Sequence, residues 1–572
     1  MLAIAAAAGS ATSAAALTLS PLNGTPDASP HTQISFLGVP ADEIAGVAVV
    51  GSKSGRHGGR LRSYASAVGA SYVLRRGFME GERVTVTARV GRPGRTRRVG
   101  TTFTTARGVD YALPVDPAPP PAKAGANQSF VSAPTLHPPS VSLESSPGVS
   151  GGDIFLTAAA GYGQNGAMII DGAGRLVWFQ PAVAGQAIEN LQVQTYAGRP
   201  VLTYWQGRID VGVGFGANTI LDTDYRPLAT VAAGNGYLAD LHALRLTTSG
   251  SAYLTAYSLV RADLSSVGGR RDGILQDAIV QQVDVPTGLV MFEWHADGHV
   301  AFGDSYAAPP STARPWDFVH FNSISPDPSG NGDVLVSSRN TWALYDVSRH
   351  TGAVLWRVGG KRSSFRMGAG TGTAYQHDAE WQPDGTITIF DNGATPKAHS
   401  QSRAIRVRID FVHRTVDLVS RFVRSPALLS GSQGDEQVLD GGDTFVGWGE
   451  APYFTEFDAA GHAVLDGHLP RPAQTYRSFR FAWSALPAAP PSIALRSAAA
   501  GTTVYASWNG ATGVAAWRVL AGATPATLAT VAQAPSSGFE TAIAAPSGGP
   551  VFAVQALGAG GEVLGVSHAI AR

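Results

Sequence analysis

Apolar and polar residues alternate with a period of two along most of the chain, in runs too short for helices. Between residues 31 and 112 the runs ISFLGV (34–39), VAVVGS (47–52), RLRSYA (60–65), ASYVLRR (70–76), RVTVTARV (83–90) and TTFTTA (101–106) predict six strands, enough for a small N-terminal β-sandwich. His57 falls in a turn-like basic stretch of that region and reads as a solvated loop histidine. From 488 to 572 the runs TVYASWN (503–509), AAWRVLAG (515–522), GFETAIAA (538–545) and VFAVQALG (551–558) predict, with three flanking runs, a fibronectin-type or Ig-like sandwich with Trp508 and Trp517 in its core. Between 113 and 150 the alternation stops and nine prolines stand among Ala and Ser. Proline fixes φ and removes a donor, so an extended linker or a strap lying on a neighbour is expected there.

From 151 to 487 the alternation itself repeats. A strand ending in aspartate, a turn, and a strand often carrying Trp or Phe recur at Asp171, Asp222, Asp284, Asp346, Asp410 and Asp458. These aspartates read as turn formers that bind their own backbone. Between successive copies lies a second hairpin, centred on Gly198, Gly250, Gly332, Gly385 and Gly442. Two hairpins per period make four strands, and six such units roughly 56 residues long predict a six-bladed β-propeller. The fold class is therefore all-β: a six-bladed propeller flanked by an N-terminal sandwich and a C-terminal fibronectin-type or Ig-like sandwich.

Composition agrees and narrows the partners. The chain has 572 residues, room for two to four domains, with 68 Gly, 36 Pro, 44% hydrophobic and 15% charged residues. Its formal net charge is +0, so nothing electrostatic favours nucleic acid or an anionic membrane. With Cys 0, disulfides, thiolate metal sites and a cysteine nucleophile are excluded. Residues 1–20 form a signal-like segment: residues 2–18 are small and apolar, and Ala14-Ala15-Ala16 resembles a cleavage site. A secreted or cell-envelope protein is expected. The run is too short, and too rich in Ser, Thr and Gly, for a membrane span.

The candidate chemistry comes from aligning the hairpins on their glycines. His242 stands eight residues before Gly250, and His377 eight before Gly385. His320 precedes Gly332 by twelve, across a longer turn. Three consecutive units thus carry histidine at the head of one strand, where the other copies carry Asn190 and Gly434. The first strand of a propeller blade lines the central channel, so these imidazoles are expected to ring one mouth. The returning strands bring Trp205, Tyr257, Arg339, Asn392 and Gly449 to the same end. Arg presents a planar fork to two oxygens of a tetrahedral oxyanion. Imidazoles can donate to the others, act as general acid, or attack. The rival is a three-histidine zinc site, against which stands the neighbouring positive charge of Arg339. Trp205, Tyr257, Trp316, Phe321, Trp342, Tyr375 and Trp381 offer aromatic surface for a ring-bearing substrate, several of them as core. Asn322, Asn392 and Arg403 read either as supports behind this ring or as turn hydrogen bonders.

The segments DLHALRL (240–246), DFVHFNSI (317–324), VSSRNT (336–341), LWRVGG (355–360), QHDAEW (376–381), FDNG (390–393), QSRAIRV (401–407) and TYRSFRFAW (475–483) resemble the bacterial arylsulfotransferases. The resemblance spans 151–487 and is nearest to the secreted actinobacterial-type branch. The cysteines of the disulfide-bearing periplasmic members are missing. It implies a six-bladed propeller and transfer of a sulfuryl group from a phenolic sulfate to a phenol by a ping-pong route, without a nucleotide co-substrate. By the same resemblance His377 matches the histidine that is transiently sulfated. His242, His320 and Arg339 match the residues that hold the sulfuryl group and help proton transfer. Asn392, Arg403, Asn322 and Tyr257 are the expected substrate-binding set. Small aromatic sulfates and phenols are the implied partners; no cofactor and no metal are expected. Two other readings stay open on the residues: a non-catalytic envelope propeller that binds a glycan or protein, and a three-histidine zinc hydrolase.

Overall fold

The computed structural model describes residues 17–110, 112–115, 118–498, 501–545 and 549–572. The fold is all-β: among the described residues the helices are four 3-10 turns of three residues. None is long and apolar enough to cross a membrane. Residues 1–16 of the signal-like segment lie outside the described residues, and Thr18–Ser20 is already an edge strand on Ile34–Leu37.

Six units of four antiparallel strands follow one another. Unit II comprises Ala187–Tyr196, Arg199–Asp210, Val213–Leu221 and Pro227–Val231. Unit III comprises Ala239–Leu246, Ser251–Ala262, Gly273–Asp284 and Leu289–His295, and is joined to unit II through Gly216 and Ala239. Unit IV runs from Phe321–Pro326 to Val354–Gly359, unit V from His377–Trp381 to Thr415–Phe422, and unit VI from Asp435–Val438 to Ala463–His468. Unit I is made from both ends of this stretch: Asp153–Ala158, Gly166–Ile170 and Leu176–Pro181 are completed by Ser478–Phe481, which pairs with Asp153–Ala158. Among the described residues no sheet closes on itself. The leading strands of units II to V touch in series, and that of unit VI touches both unit V and Ser478–Phe481.

The turn chemistry follows from sequence. The five hairpin glycines all adopt positive φ, from 75° at Gly385 to 96° at Gly442, where a Cβ is penalised. Asp171, Asp222, Asp410 and Asp458 each accept two backbone N–H groups of their own turn through Oδ1. Asp284 instead accepts from Thr287 Oγ1 and the Ala65 amide. Asp346 is buried, accepts nothing through Oδ1 from the described residues, and its pKa is pushed up to about 7 by burial first and by Asp333 next.

Cores lie between the units rather than within any one sheet. Trp294, Phe292, Phe321, Tyr345 and Val336 share a core across units III and IV, and truncating such a Trp to Ala would cost about 3–5 kcal/mol. The N-terminal region has two four-stranded sheets that share Phe36, Val84, Val86 and Phe103. His57 is not a solvated loop residue. It is a strand residue 5% exposed, packed 4.6 Å from the Phe78 ring and bonded at 2.6 Å to Ser54 Oγ. At the C-terminus two further sheets bury Trp508 and Trp517. In the proline-rich stretch Ser142–Ser145 adds a strand to the outer edge of unit VI, so this part lies on a neighbour as a strap would.

Candidate active site

The leading strands of units II to V all slip register near their heads, at Glu189/Gln192, Ala239/Leu244, Phe321/Ser323 and His377/Glu380. Such bulges re-aim side chains at the end of a sheet. Residues at the leading-strand heads also adopt left-handed backbone: Asn190 (φ 60°) in unit II, His320 (53°) in unit IV, Asp378 (51°) in unit V and Gln433 (65°) just ahead of unit VI. For a non-glycine residue that conformation costs on the order of 1–3 kcal/mol and persists only where the surroundings enforce it.

The outcome is one cavity of about 450 Å³ into which His242, His320, His377 and Arg339 project, with Tyr476, Gln433, Asn340 and Asp317 on its walls. The imidazoles of His242 and His320 meet edge to face at 4.8 Å, and His242 lies 6.5 Å from His377. One ring nitrogen from each of the three can be drawn within 4.8 Å of the others.

Each imidazole is held from behind. His377 Nδ1 lies 2.6 Å from Asn392 Oδ1. The Asn392 amide donates to the Ser430 and Gln433 carbonyls at 3.2 and 3.0 Å, which turns its oxygen toward His377. The proton therefore sits on Nδ1, and the Nε2 lone pair faces the Gln433 amide at 3.2 Å. His242 Nδ1 donates to Asp240 Oδ2 at 2.7 Å, and that oxygen also accepts from Thr255 Oγ1 and the His242 amide. His320 Nδ1 lies 2.5 Å from Asp317 Oδ2.

Electrostatics distinguish the three. Burial, then the Arg339 charge and the other two imidazoles, drive the His377 pKa well below the ordinary histidine value. Burial also lowers His242, outweighing Asp240. For Asp240 itself, burial is outweighed by His242 and by the amides of Gly214 and His242, so it stays ionised. The site at neutral pH thus holds a neutral, tautomerically fixed His377 beside a guanidinium.

Arg339 donates to Asn340 Oδ1 at 3.0 Å and to the Gly431 carbonyl at 3.1 Å, and its guanidinium lies 4.8 Å from the Tyr375 ring centre. Tyr375 meets Trp342 edge to face, and Trp342 stacks on the exposed Tyr306 at 3.8 Å. Ala307, next to Tyr306, lines the cavity, so this aromatic run starts at the rim. Beneath the imidazoles, Tyr476 donates to the His242 carbonyl at 3.2 Å. Arg477, fully buried, donates to the Asn322 carbonyl at 2.8 Å and pairs with Asp378 at 3.1 Å.

Of the residues singled out from sequence, His242, His320, His377 and Arg339 come together, with Asn392 directly behind His377. The others stand off the cavity. Asn322 is fully buried and uses its amide on the Gln376 carbonyl, between units IV and V. Arg403 binds Asp391 and the carbonyls of Gly370 and Gly372. Tyr257 donates to the Phe321 carbonyl. Asp240, Asp317, Gln433, Tyr476 and Arg477 were missed. The two aspartates carried a local signal, a carboxylate two or three residues ahead of each histidine. The other three come from unit VI or the closing strand, and only tertiary packing brings them in.

Residues 192–469 match the model of the arylsulfotransferase (ASST) family. No curated protein matches the chain. Among solved structures, a protein of unknown function from Bacteroides caccae is 15% identical with a TM-score of 0.36, over 57% of this chain and 98% of that one. An inactive variant of virginiamycin B lyase from Staphylococcus aureus with quinupristin is 8% identical with a TM-score of 0.30, over 65% and 96%. A quinonprotein alcohol dehydrogenase-like protein from Bacteroides thetaiotaomicron is 9% identical with a TM-score of 0.26, over 80% and 96%.

Proposed function

We propose that the six units are blades of one β-propeller, and that the chain is an exported aryl-sulfate sulfotransferase. It would move a sulfuryl group from a phenolic sulfate to a phenol through a sulfated His377. The observation that carries this reading is the convergence of a neutral His377, with its proton fixed on Nδ1, on a cavity shared with Arg339, His242 and His320. The family match over 192–469 supports the activity class. The serial contacts of the leading strands, and the pairing of Ser478–Phe481 with Asp153–Ala158, support the propeller. The Ala-rich start of the chain supports export.

In this mechanism the aryl ring enters along Tyr306, Trp342 and Tyr375. Its sulfate lies against Arg339, whose fork suits two oxygens at once. The Nε2 lone pair of His377 attacks sulfur, the S–O bond to the aryl group breaks, and the electron pair leaves on the phenolate oxygen. Phenol has a pKa of about 10, so a proton delivered to that oxygen lowers the barrier. His320 delivers it: it is backed by Asp317 and is the most exposed of the three histidines, which lets its proton exchange with water. Negative charge on the non-bridging oxygens is met by donors already in place. In the second half His320 takes the proton of an incoming phenol, that oxygen attacks sulfur, and the S–N bond breaks to restore His377.

Incubation with a 35S-labelled aryl sulfate and no acceptor tests the reading. One acid-labile label per chain is expected, discharged by added phenol and missing in His377→Ala. Normal labelling in that variant would overturn it. The alternative use of three imidazoles, to hold zinc, is disfavoured by the Arg339 charge beside His377. Chelator-sensitive turnover without protein labelling would reverse that preference.

A further inference from the structure

A second three-donor cluster lies outside the cavity lining, where the N-terminal region meets unit III. It comprises Asp27, Asp277 and His295, at 4, 0 and 1% exposure, whose ligand atoms lie within 4.8 Å of one another. His295 Nδ1 faces two carboxylates at once, Asp277 Oδ2 at 2.8 Å and Asp27 Oδ1 at 3.0 Å. A single N–H can be aimed at only one of them, and its hydrogen bond goes to Asp277. Neither oxygen of Asp27 accepts a hydrogen bond from any described residue. A carboxylate in that state is costly to bury. Sequence distance makes it more notable, because Asp27 is delivered from another part of the chain to meet unit III.

We infer that Asp27, Asp277 and His295 bind a divalent transition-metal cation that joins the N-terminal region to unit III. The surroundings are those of a metal-bound histidine. His295 Nε2 lies 3.1 Å from Glu293 Oε1, and the other Glu293 oxygen accepts from Asn235 and Gln281 at 2.7 and 2.6 Å. A carboxylate that orients the far nitrogen of a ligating imidazole is a recurrent device. Asp277 Oδ1 is occupied by the Asp297 amide at 2.8 Å, which leaves Oδ2 to ligate. The Tyr237 hydroxyl, buried and without a hydrogen-bond partner among the described residues, is available as a further oxygen donor. Tetrahedral ligands of zinc stand ~3.3 Å apart, given bonds of about 2.0–2.1 Å, close to the separations at Nδ1. Two carboxylates with one imidazole suit zinc or manganese better than a calcium site built of oxygen alone.

The test is calorimetric titration of chelator-treated full-length protein with Zn2+ alone and Mn2+ alone. His377→Ala serves as the background, to remove the other three-donor cluster. One site is expected there for at least one ion, weakened at least about 100-fold when Asp27→Asn is added, given what loss of even an orienting partner costs. No site for either ion, or a site that survives Asp27→Asn, overturns the inference. Anomalous diffraction from zinc-soaked crystals of the unmutated chain covers the case in which the double variant fails to fold. A peak within bonding distance of His295 Nδ1 supports the assignment, and its absence there overturns it.

Discussion

Two buried clusters each bring three ligand-type side chains within 4.8 Å, and they have opposite electrical character. At the cavity mouth, three imidazoles stand beside a guanidinium, and the carboxylates lie behind the rings, bonded to Nδ1 of His242 and His320. At the N-terminal boundary, two carboxylates face into the centre beside one imidazole, and one of them, Asp27, accepts no hydrogen bond from the described residues. The first arrangement puts the guanidinium of Arg339 on the cavity and keeps the carboxylates behind the rings, which suits an anion. The second gathers two carboxylates among buried side chains, which suits a cation. Which way the carboxylate faces, rather than how many histidines are present, separates the two.

The sharpest way to break the comparison is at His377. Replacing it with Ala should reduce sulfuryl transfer on the order of 10⁴-fold or more, as loss of a nucleophile does elsewhere. Labelling and steady-state rates check this together. Next comes Arg339→Met, which removes the fork and its charge at similar bulk. It should cost about 2–4 kcal/mol in transition-state stabilisation, read as kcat/KM for an aryl sulfate, and should leave zinc or manganese binding unchanged. Conversely, Glu293→Gln should weaken metal affinity about 10–100-fold without altering transfer, measured by competition with a chromogenic chelator. If either variant moved both readouts, the two clusters would not be independent.

The smallest expected effect concerns pH. In the proposed mechanism His377 attacks only when unprotonated, and its folded pKa lies well below the ordinary value because of burial first and Arg339 second. The acidic limb of the sulfation rate should therefore fall below about pH 6.5, the ordinary histidine midpoint. In Arg339→Met one of the depressing charges is gone, so the pKa rises and the limb moves to higher pH. A limb that stayed in place would show that Arg339 does not sense the charge on His377.

Much of this was legible in sequence because it is periodic. The hairpin glycines and the strand heads recur, so alignment alone drew His242, His320 and His377 to one end and put Arg339 on a returning strand beside them. Periodicity says which end of a strand a residue occupies, not which way a bulged side chain points. Asn322 and Arg403 therefore seemed to belong to the site, yet one is spent between units on the Gln376 carbonyl and the other on Asp391. His57 was misread because its basic neighbours suggest a turn, while the ring itself packs on Phe78. The Asp27 cluster was invisible because nothing local couples residue 27 to residues 277 and 295; only docking of the N-terminal region does.

The pairing of Ser478–Phe481 with Asp153–Ala158 has a consequence for biogenesis. The first unit cannot acquire its fourth strand until the ribosome has emitted the last part of the repeat. Tyr476 and Arg477, which support His242 and the floor beneath it, arrive on that same segment. A nascent chain stalled before it would carry all three histidines and still lack a finished pocket.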